Sequence, residues 1–499
     1  MSSVAAPAPA VPESPDGPPA RRRPAALNTA VLERIGFAAL VVGAVVGYFV
    51  YPTYPNYDSY YSLLWGRELL GLEPLSFEAY RAPTEHPLAI AFGALLAPLG
   101  DVADRVMVGF SVISFVTLVV GLYVLAKTAF TPLVGAAAAG LLVTRFDFPF
   151  LAARGYIDIS YLAIIIWTAV IEARAPRRRP AVVLALLAAA GLMRPEAWLL
   201  SGLYWLWVFR PASWAQRARY ALLAAIGPLV WSAVDFAVTG RPLYSLTATS
   251  ELAEELGRNK GVSEVPQALY AFLINLDKFP VVVGGALGLA LAVWLTPRRS
   301  LMALALFAAG AGTFAVVGLA GLSVIDRYLL VPSLCVMIFA GVFLAGWTML
   351  RRGSVLARVW AVGAVALVVF GVVFTVTRVN LTQLDNELRF RGEGHVALEQ
   401  VLSAPAVVSA LRCGPVYVPN HKLIPDVRWI LDRPISGVLA RSSAQVPEPR
   451  RGVAILVHTR LALFKQALVT TADEPADSLP PDGFIRAATS EYYAAYVNC

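Results

Sequence analysis

Apolar runs separated by short polar segments recur along the whole first three-quarters of the chain. About 20 apolar residues in a helix cross the ~30 Å hydrocarbon core of a bilayer. Eleven runs read as such spans, at 33–52, 104–126, 131–145, 157–173, 180–193, 195–210, 220–238, 280–296, 301–320, 328–350 and 357–379. The fifth and sixth are short and separated by Arg194-Pro195-Glu196, so they read either as two spans or as one broken, shallow pair. His86 to Leu99 is apolar but too short to cross, which predicts a helix at the membrane interface. Ahead of it, Asp58 to Leu70 sets Leu63, Leu64 and Leu69 against Arg67 and Glu68. That spacing predicts an amphipathic helix lying on the membrane surface, with Asp58 as its N-cap.

From about Asn380 the pattern becomes that of a water-soluble domain. His395 to Leu411 has helical spacing, while Pro415-Val416-Tyr417-Val418 and Gly452 to His458 read as short buried strands. The expected fold is therefore an all-α polytopic membrane protein over 31–379, with large outer loops at 52–103 and 239–279, followed by a small extracytoplasmic α/β domain over 380–499. Cys413 and Cys499 fall in that domain, where an oxidising compartment favours a bridge over two unpaired thiols; Cys335 lies within a span.

Composition agrees with the pattern. Hydrophobic residues make up 58% of 499 and charged residues only 15%, against about 25% in soluble proteins. Residues 1–30, rich in Pro and Ala and containing Arg21-Arg22-Arg23, predict a disordered tail before a retained signal-anchor helix.

Charge supplies the orientation. Lys127, Arg174, Arg177 to Arg179, Arg210, Arg217, Arg219, Arg298, Arg299, Arg351, Arg352 and Arg358 all fall on one side of the eleven spans, and acids such as Asp58, Glu85, Asp147 and Asp326 collect on the other. The positive-inside rule then puts the N-terminus in the cytoplasm and the C-terminal domain outside, in a bacterial inner membrane. The net charge of +8 is explained by these inner loops and needs no nucleic acid.

The outer connections carry the candidate chemistry. Asp58 lies in the run Tyr54-Pro55-Asn56-Tyr57-Asp58-Ser59-Tyr60-Tyr61, where a first span ends. Thr84-Glu85-His86-Pro87 follows in the same loop, and Asp326-Arg327-Tyr328 precedes a late span that contains Pro332. An Asp after the first span, an aromatic helix leading to Gly66 and Gly71, a His-Pro step before an interfacial helix, and a late Arg-Tyr step together resemble the GT-C superfamily. These are membrane glycosyltransferases, here similar to the protein mannosyltransferase and aminoarabinose transferase types. The resemblance extends to the number of spans, the large first outer loop and the outer C-terminal domain. Asp58 is followed by Ser59 rather than by a second acid, which departs from the paired acids of the metal-dependent oligosaccharyltransferase kind.

The resemblance implies a sugar donor linked to polyprenyl phosphate, presented at the membrane surface to a glycan, lipid or protein acceptor. Asp58 is then the expected general base, and Glu85 a second acid. Arg327, Arg194 and Arg154 are expected to supply positive charge to the donor phosphate, with Asp158, Tyr328, His86 and Tyr61 as further binding residues. Each has a plainer reading. Arg327 can pair with Asp326 or snorkel, Arg194 can pair with Glu196, and Arg154 with Asp158 has the i,i+4 spacing of a helical ion pair. His86 can serve only as the residue before a proline, and Tyr61 can belong to the interfacial aromatic belt. Glu251 to Lys260 reads as a solvated helical face or a lid. Lone acids can bind a divalent cation, but no ligand spacing demands one. The alternatives to an enzyme are a transporter or flippase, or a membrane assembly protein whose outer domain is the working part.

Overall fold

The computed structural model describes residues 29–255, 262–319, 324–351, 353–465 and 479–499. The tail expected to be disordered, up to residue 28, and Leu256 to Lys260 of the expected lid lie outside the described residues. Ala44–Cys499 form one compact unit, whose boundary falls within α1 (Thr29–Val50).

The helices that follow are α2 (Tyr57–Leu70), α3 (Pro87–Leu96), α4 (Ala103–Ala129), α5 (Pro132–Thr144), α6 (Asp147–Ala153), α7 (Ile157–Arg174) and α8 (Pro180–Met193). Next come α9 (Glu196–Phe209), α10 (Trp214–Thr239), α11 (Tyr244–Glu255), α12 (Val265–Asp277) and α13 (Phe279–Leu295). The helical part closes with α14 (Pro297–Leu319), α15 (Leu330–Ala345) and α16 (Val355–Arg378).

Each of the eleven expected spans falls on a helix, but not each helix is a crossing by itself. Among the described residues six segments are long and apolar enough, and up to eight if the bent pairs α5–α6 (62°) and α12–α13 (108°) each count as one. The reason is partly length: α8 and α9 have 14 residues each, which at 1.5 Å per residue is about 21 Å. In α7 it is charge, since Asp158, Glu172 and Arg174 fall within 18 residues.

Two expectations for the first loop are corrected. The helix α2 does not lie on a surface, because Ser59 through Gly66 and Glu68 are all buried. It is covered by α3 and by the C-terminal region. Gly66 and Gly93 permit the first contact, since a Cβ on either would collide with the backbone of the opposite helix. Nor is Asp58 the N-cap. Asn56 takes that role, accepting from the Ser59 amide at 3.2 Å, and Asp58 stands in the first turn with its carboxylate available for other partners. The start of α2 is fixed to the α6–α7 junction. The Asn56 amide donates to the Arg154 carbonyl (2.7 Å), Ser59 Oγ donates to the Gly155 carbonyl (2.6 Å), and Thr53 Oγ1 donates to the Ala153 carbonyl. Gly155 sits at φ +64°, a turn that brings these carbonyls round to face α2.

Beyond residue 380 lie α17 (Gln383–Leu402), α18 (Pro405–Ala410), β1 (Val416–Val418), α19 (Ile424–Leu431), β2 (Val438–Ala440), β3 (Gly452–Val457), α20 (Arg460–Lys465), β4 (Ile485–Thr489) and β5 (Tyr493–Asn498). The strand order is β2-β1-β3-β5-β4, with β1 parallel to both β2 and β3, and β5 antiparallel to β3 and β4. Val416, Val418, Val453 and Ile455 pack with Leu398, Val401 and Leu402 of α17 in its core. The Cys413–Cys499 disulfide ties the entry to β1 to the chain end. The apolar pattern predicted β1 and β3, which are buried, but not β2, β4 or β5; β4 is largely exposed and so shows no clear apolar signal.

Candidate active site

A cavity of about 450 Å³ opens where the first loop, the α6–α7 junction, the 194–196 break, α11 and the 325–328 turn meet the C-terminal region. Asp58 and Arg327 lie on its wall. Arg327 Nη1 is 3.1 Å from Asp58 Oδ2 and 3.7 Å from Asp158 Oδ2. Asp158 Oδ1 is in turn 2.5 Å from Arg194 Nη1, and Arg194 donates through Nε (3.1 Å) and Nη2 (2.9 Å) to Glu196 Oε1. Five charges thus alternate along one line, three acids and two arginines.

Exposure divides this line. The side chains of Asp58 and Arg327 are 19% and 31% exposed, while Asp158 is at 1% and Arg194 at 8%. Asp158 therefore anchors both arginines from below, and Asp58 with Arg327 forms the part of the line that the cavity exposes. Among the described residues neither Asp158 Oδ2 nor Glu196 Oε2 has a hydrogen-bond partner. Burial pushes the Asp58 carboxyl up, but the Arg327 guanidinium beside it, with Arg194 behind, brings it below its ordinary value. The carboxylate is ionised and held, and an anion that engages Arg327 would release it.

The remaining expected residues sort clearly. Tyr328 lines the cavity with its ring 5.6 Å from the Arg194 guanidinium carbon. Arg154 also lines it, but not as a helical partner of Asp158: it caps α6, outside α7. Its guanidinium lies 3.9 Å from the Tyr54 ring centroid, Nη2 donates to the Pro55 carbonyl (3.3 Å), and Nη1 is buried without a partner. The Arg327–Asp326 pairing is replaced by the bridge to Asp58. The Arg194–Glu196 pairing is present, and Asp158 is added to it.

His86 faces the cavity, edge-on to Trp231 at 5.7 Å. Burial lowers its pKa to about 4, so the ring is neutral near pH 7. Glu85 does not line this cavity. It is buried beneath Tyr244 and Ala248, where desolvation raises its carboxyl to about 7 against the opposing effect of Ser245. Tyr61 is also turned away, packed on Trp65 at 5.1 Å and Tyr57 at 5.0 Å.

The contribution of the C-terminal region was not legible in the sequence. Arg391, His421, Lys422 and Asp426 all line the cavity, together with Arg81 of the first loop. Burial raises the Asp426 carboxyl to about 6. His421 and Lys422 follow β1, whose neighbours β2 and β3 lie on opposite sides of it. In open parallel sheets the C-terminal end of such a strand is a topological switch point, a common place for a ligand. The polar run after Val418 was the available signal, but it acquires that meaning only once the strand order is known. Among the described residues no group of three or more His, Cys, Asp or Glu gathers to hold a metal ion.

No family model and no curated protein matches the sequence. Solved structures do match the fold. ArnT from Cupriavidus metallidurans bound to undecaprenyl phosphate superposes with a TM-score of 0.55 at 14% identity, covering 93% of this chain and 98% of that one. Its apo state gives 0.51 at 16% identity, over 95% and 99%. An Archaeoglobus fulgidus oligosaccharyltransferase tethered with an acceptor peptide gives 0.50 at 11% identity, over 94% of this chain and 75% of that one. The chain therefore shares the fold of these proteins, as the GT-C resemblance in its sequence implied. It is a membrane protein.

Proposed function

We propose that the protein is a glycosyltransferase that moves a sugar from a polyprenyl-phosphate donor to an acceptor hydroxyl on the extracytoplasmic face of a bacterial inner membrane. The observation that carries this reading is the Asp58–Arg327 pair, anchored by Asp158 and open to the cavity. It unites a carboxylate and a phosphate-binding cation at the place where a lipid phosphate must meet a polar acceptor. The fold shared with a protein crystallised with undecaprenyl phosphate supports the choice of donor.

In the proposed reaction the donor phosphate takes the Arg327 guanidinium in a charge-assisted hydrogen bond. Asp58, relieved of its partner, becomes a stronger base and accepts the proton of the acceptor hydroxyl. That oxygen bonds to the anomeric carbon from the face opposite the phosphate, and the bond from that carbon to the phosphate oxygen breaks. The configuration inverts, and the polyprenyl phosphate leaves with its charge held by Arg327. Arg194 and Asp158 position Arg327, Tyr328 and neutral His86 line the sugar subsite, and Arg154 offers a spare donor. Glu85 and Tyr61 act from behind the wall by packing. The proposed topology keeps a cytoplasmic N-terminus and residues 380–499 as an outer domain that closes the cavity.

The test is reconstitution with a polyprenyl-phosphate sugar and measurement of sugar transfer or release. Wild type should turn over, while Asp58→Asn and Arg327→Ala should be strongly impaired. Undiminished turnover in Asp58→Asn would remove the base, and accumulation of intact substrate inside vesicles would point to transport instead.

A further inference from the structure

A second concave surface lies apart from the catalytic cavity, between α5, α13, α15 and α16. It is a groove of about 300 Å³ walled by Val281, Ala340, Leu344, Leu367 and Val372, with Arg145 and Lys278 at its rim. On α16 the neighbouring Val365, Val369 and Val376 are 63%, 57% and 68% exposed. A helix that shows valines outward in a membrane protein faces hydrocarbon, so the groove opens to lipid rather than to water.

The two rim cations are not neutralised by a direct partner. Neither Arg145 nor Lys278 has a carboxylate within 4.0 Å among the described residues. Arg145 Nη1 donates to the Asp277 carbonyl at 3.0 Å, and its Nε is buried without a partner. The Asp277 carboxylate accepts from Ser333 Oγ at 2.8 Å instead. Among the described residues Lys278 Nζ donates to the Asn275 carbonyl alone, at 2.5 Å. Lys278 is held at φ +66°, a conformation that favours glycine, at the 108° bend between α12 and α13. The bend thus places a lysine where the apolar walls end.

We propose that this groove binds an anionic phospholipid, its phosphate on Arg145 and Lys278 and one acyl chain along α13, α15 and α16. Apolar walls alone would accept any lipid chain. Asp147 and Asp277 act on both cations from a distance, but with no carboxylate in contact the pair still favours a negative headgroup, and the arginine adds directional donors for phosphate oxygens. Both cations lie at the end of the helices that carries the catalytic cavity, since Arg145 leads directly into α6 and Arg154.

The full-length protein in detergent, incubated with phosphatidylglycerol or with phosphatidylcholine of the same chains, provides the test by native mass spectrometry. One phosphatidylglycerol should be retained with a preference of about tenfold or more, as two cations at a lipid headgroup imply. The double variant Arg145→Gln/Lys278→Gln should lose the preference. Gly371→Leu should lose the bound lipid without touching either charge. A Cβ at Gly371 meets only Pro280 at 3.9 Å, so a longer side chain can extend into the groove, and leucine favours the helix. Inorganic phosphate at equal concentration should not displace the lipid; displacement would mean that the rim binds phosphate without the chain, and would overturn the proposal. Equal retention of the two lipids, or a preference that survives in Gly371→Leu, would overturn it as well. If the double variant fails to fold, lipid retention by Gly371→Leu decides the question alone.

Discussion

Two buried ion clusters join distant parts of the chain, and they differ in how completely their polar groups are met. In the first, Glu68 Oε1 accepts from Arg428 Nη2 (2.7 Å) and Ser76 Oγ (2.8 Å), and Oε2 accepts from the Ser76 amide (2.8 Å). Arg428 gives its other donors to Ser76 Oγ and the Arg433 carbonyl. Glu68 and Arg428 are 8% and 2% exposed. Nothing remains for a ligand, and the cluster seals α2 to the C-terminal region. In the second, Asp58 and Arg327 are exposed on a cavity, and among the described residues Asp158 Oδ2 and Glu196 Oε2 have no hydrogen-bond partner. A buried charge with every bond made is a fastener. One with bonds to spare can exchange a partner, which is what binding an anion and taking up a proton require.

The difference can be broken by mutation. The largest expected effect is Asp58→Asn, which should lower sugar transfer by a factor on the order of 10²–10⁴, the usual contribution of a general base, with the melting temperature little changed. Arg428→Met should do the reverse. Removing one partner of a buried pair costs about 3–5 kcal/mol, and the loss should appear in thermal melting while the folded fraction keeps its turnover number. If Arg428→Met abolished turnover without loss of stability, the two clusters would not be separable in this way.

Cys499→Ser should cost about 2–4 kcal/mol by opening the loop that the disulfide closes. Because His421, Lys422 and Asp426 come from the region it braces, we expect KM to rise more than kcat falls; an unchanged KM would detach that region from substrate binding. The smallest effect concerns pH. The Glu85 carboxyl is held at about 7, above the value of roughly 4.3 in an unfolded chain, so folding favours its protonated form. That stability is full below the unfolded value and is lost as pH rises through about 7. Glu85→Gln should therefore flatten the decline in melting temperature between pH 5 and pH 8, and equal slopes in the two proteins would refute the assignment.

Much of this was readable in the chain. The helices could be placed because hydropathy is a local property: a run such as Val355 to Arg378 declares itself whatever it packs against. Asp58 and Arg327 were identifiable as polar residues at the ends of such runs. Pattern misleads where neighbours decide. Leu63 and Leu64 beside Arg67 and Glu68 look amphipathic, but Glu68 is buried because Arg428, 360 residues away, meets it. Glu85 and His86 are adjacent, yet one faces the cavity and the other does not.

The sequence by itself determined that this is a helical membrane protein with its candidate chemistry at the ends of the helices, because burying apolar runs in lipid needs no particular partner. Tertiary structure alone decided which charges meet. Asp58 and Arg327 are separated by 269 residues, and an ion pair at 3.1 Å depends on how helices cross rather than on any pattern along them. The same packing brought Lys422 and Asp426 to the cavity wall, where spacing in the chain gave no reason to look.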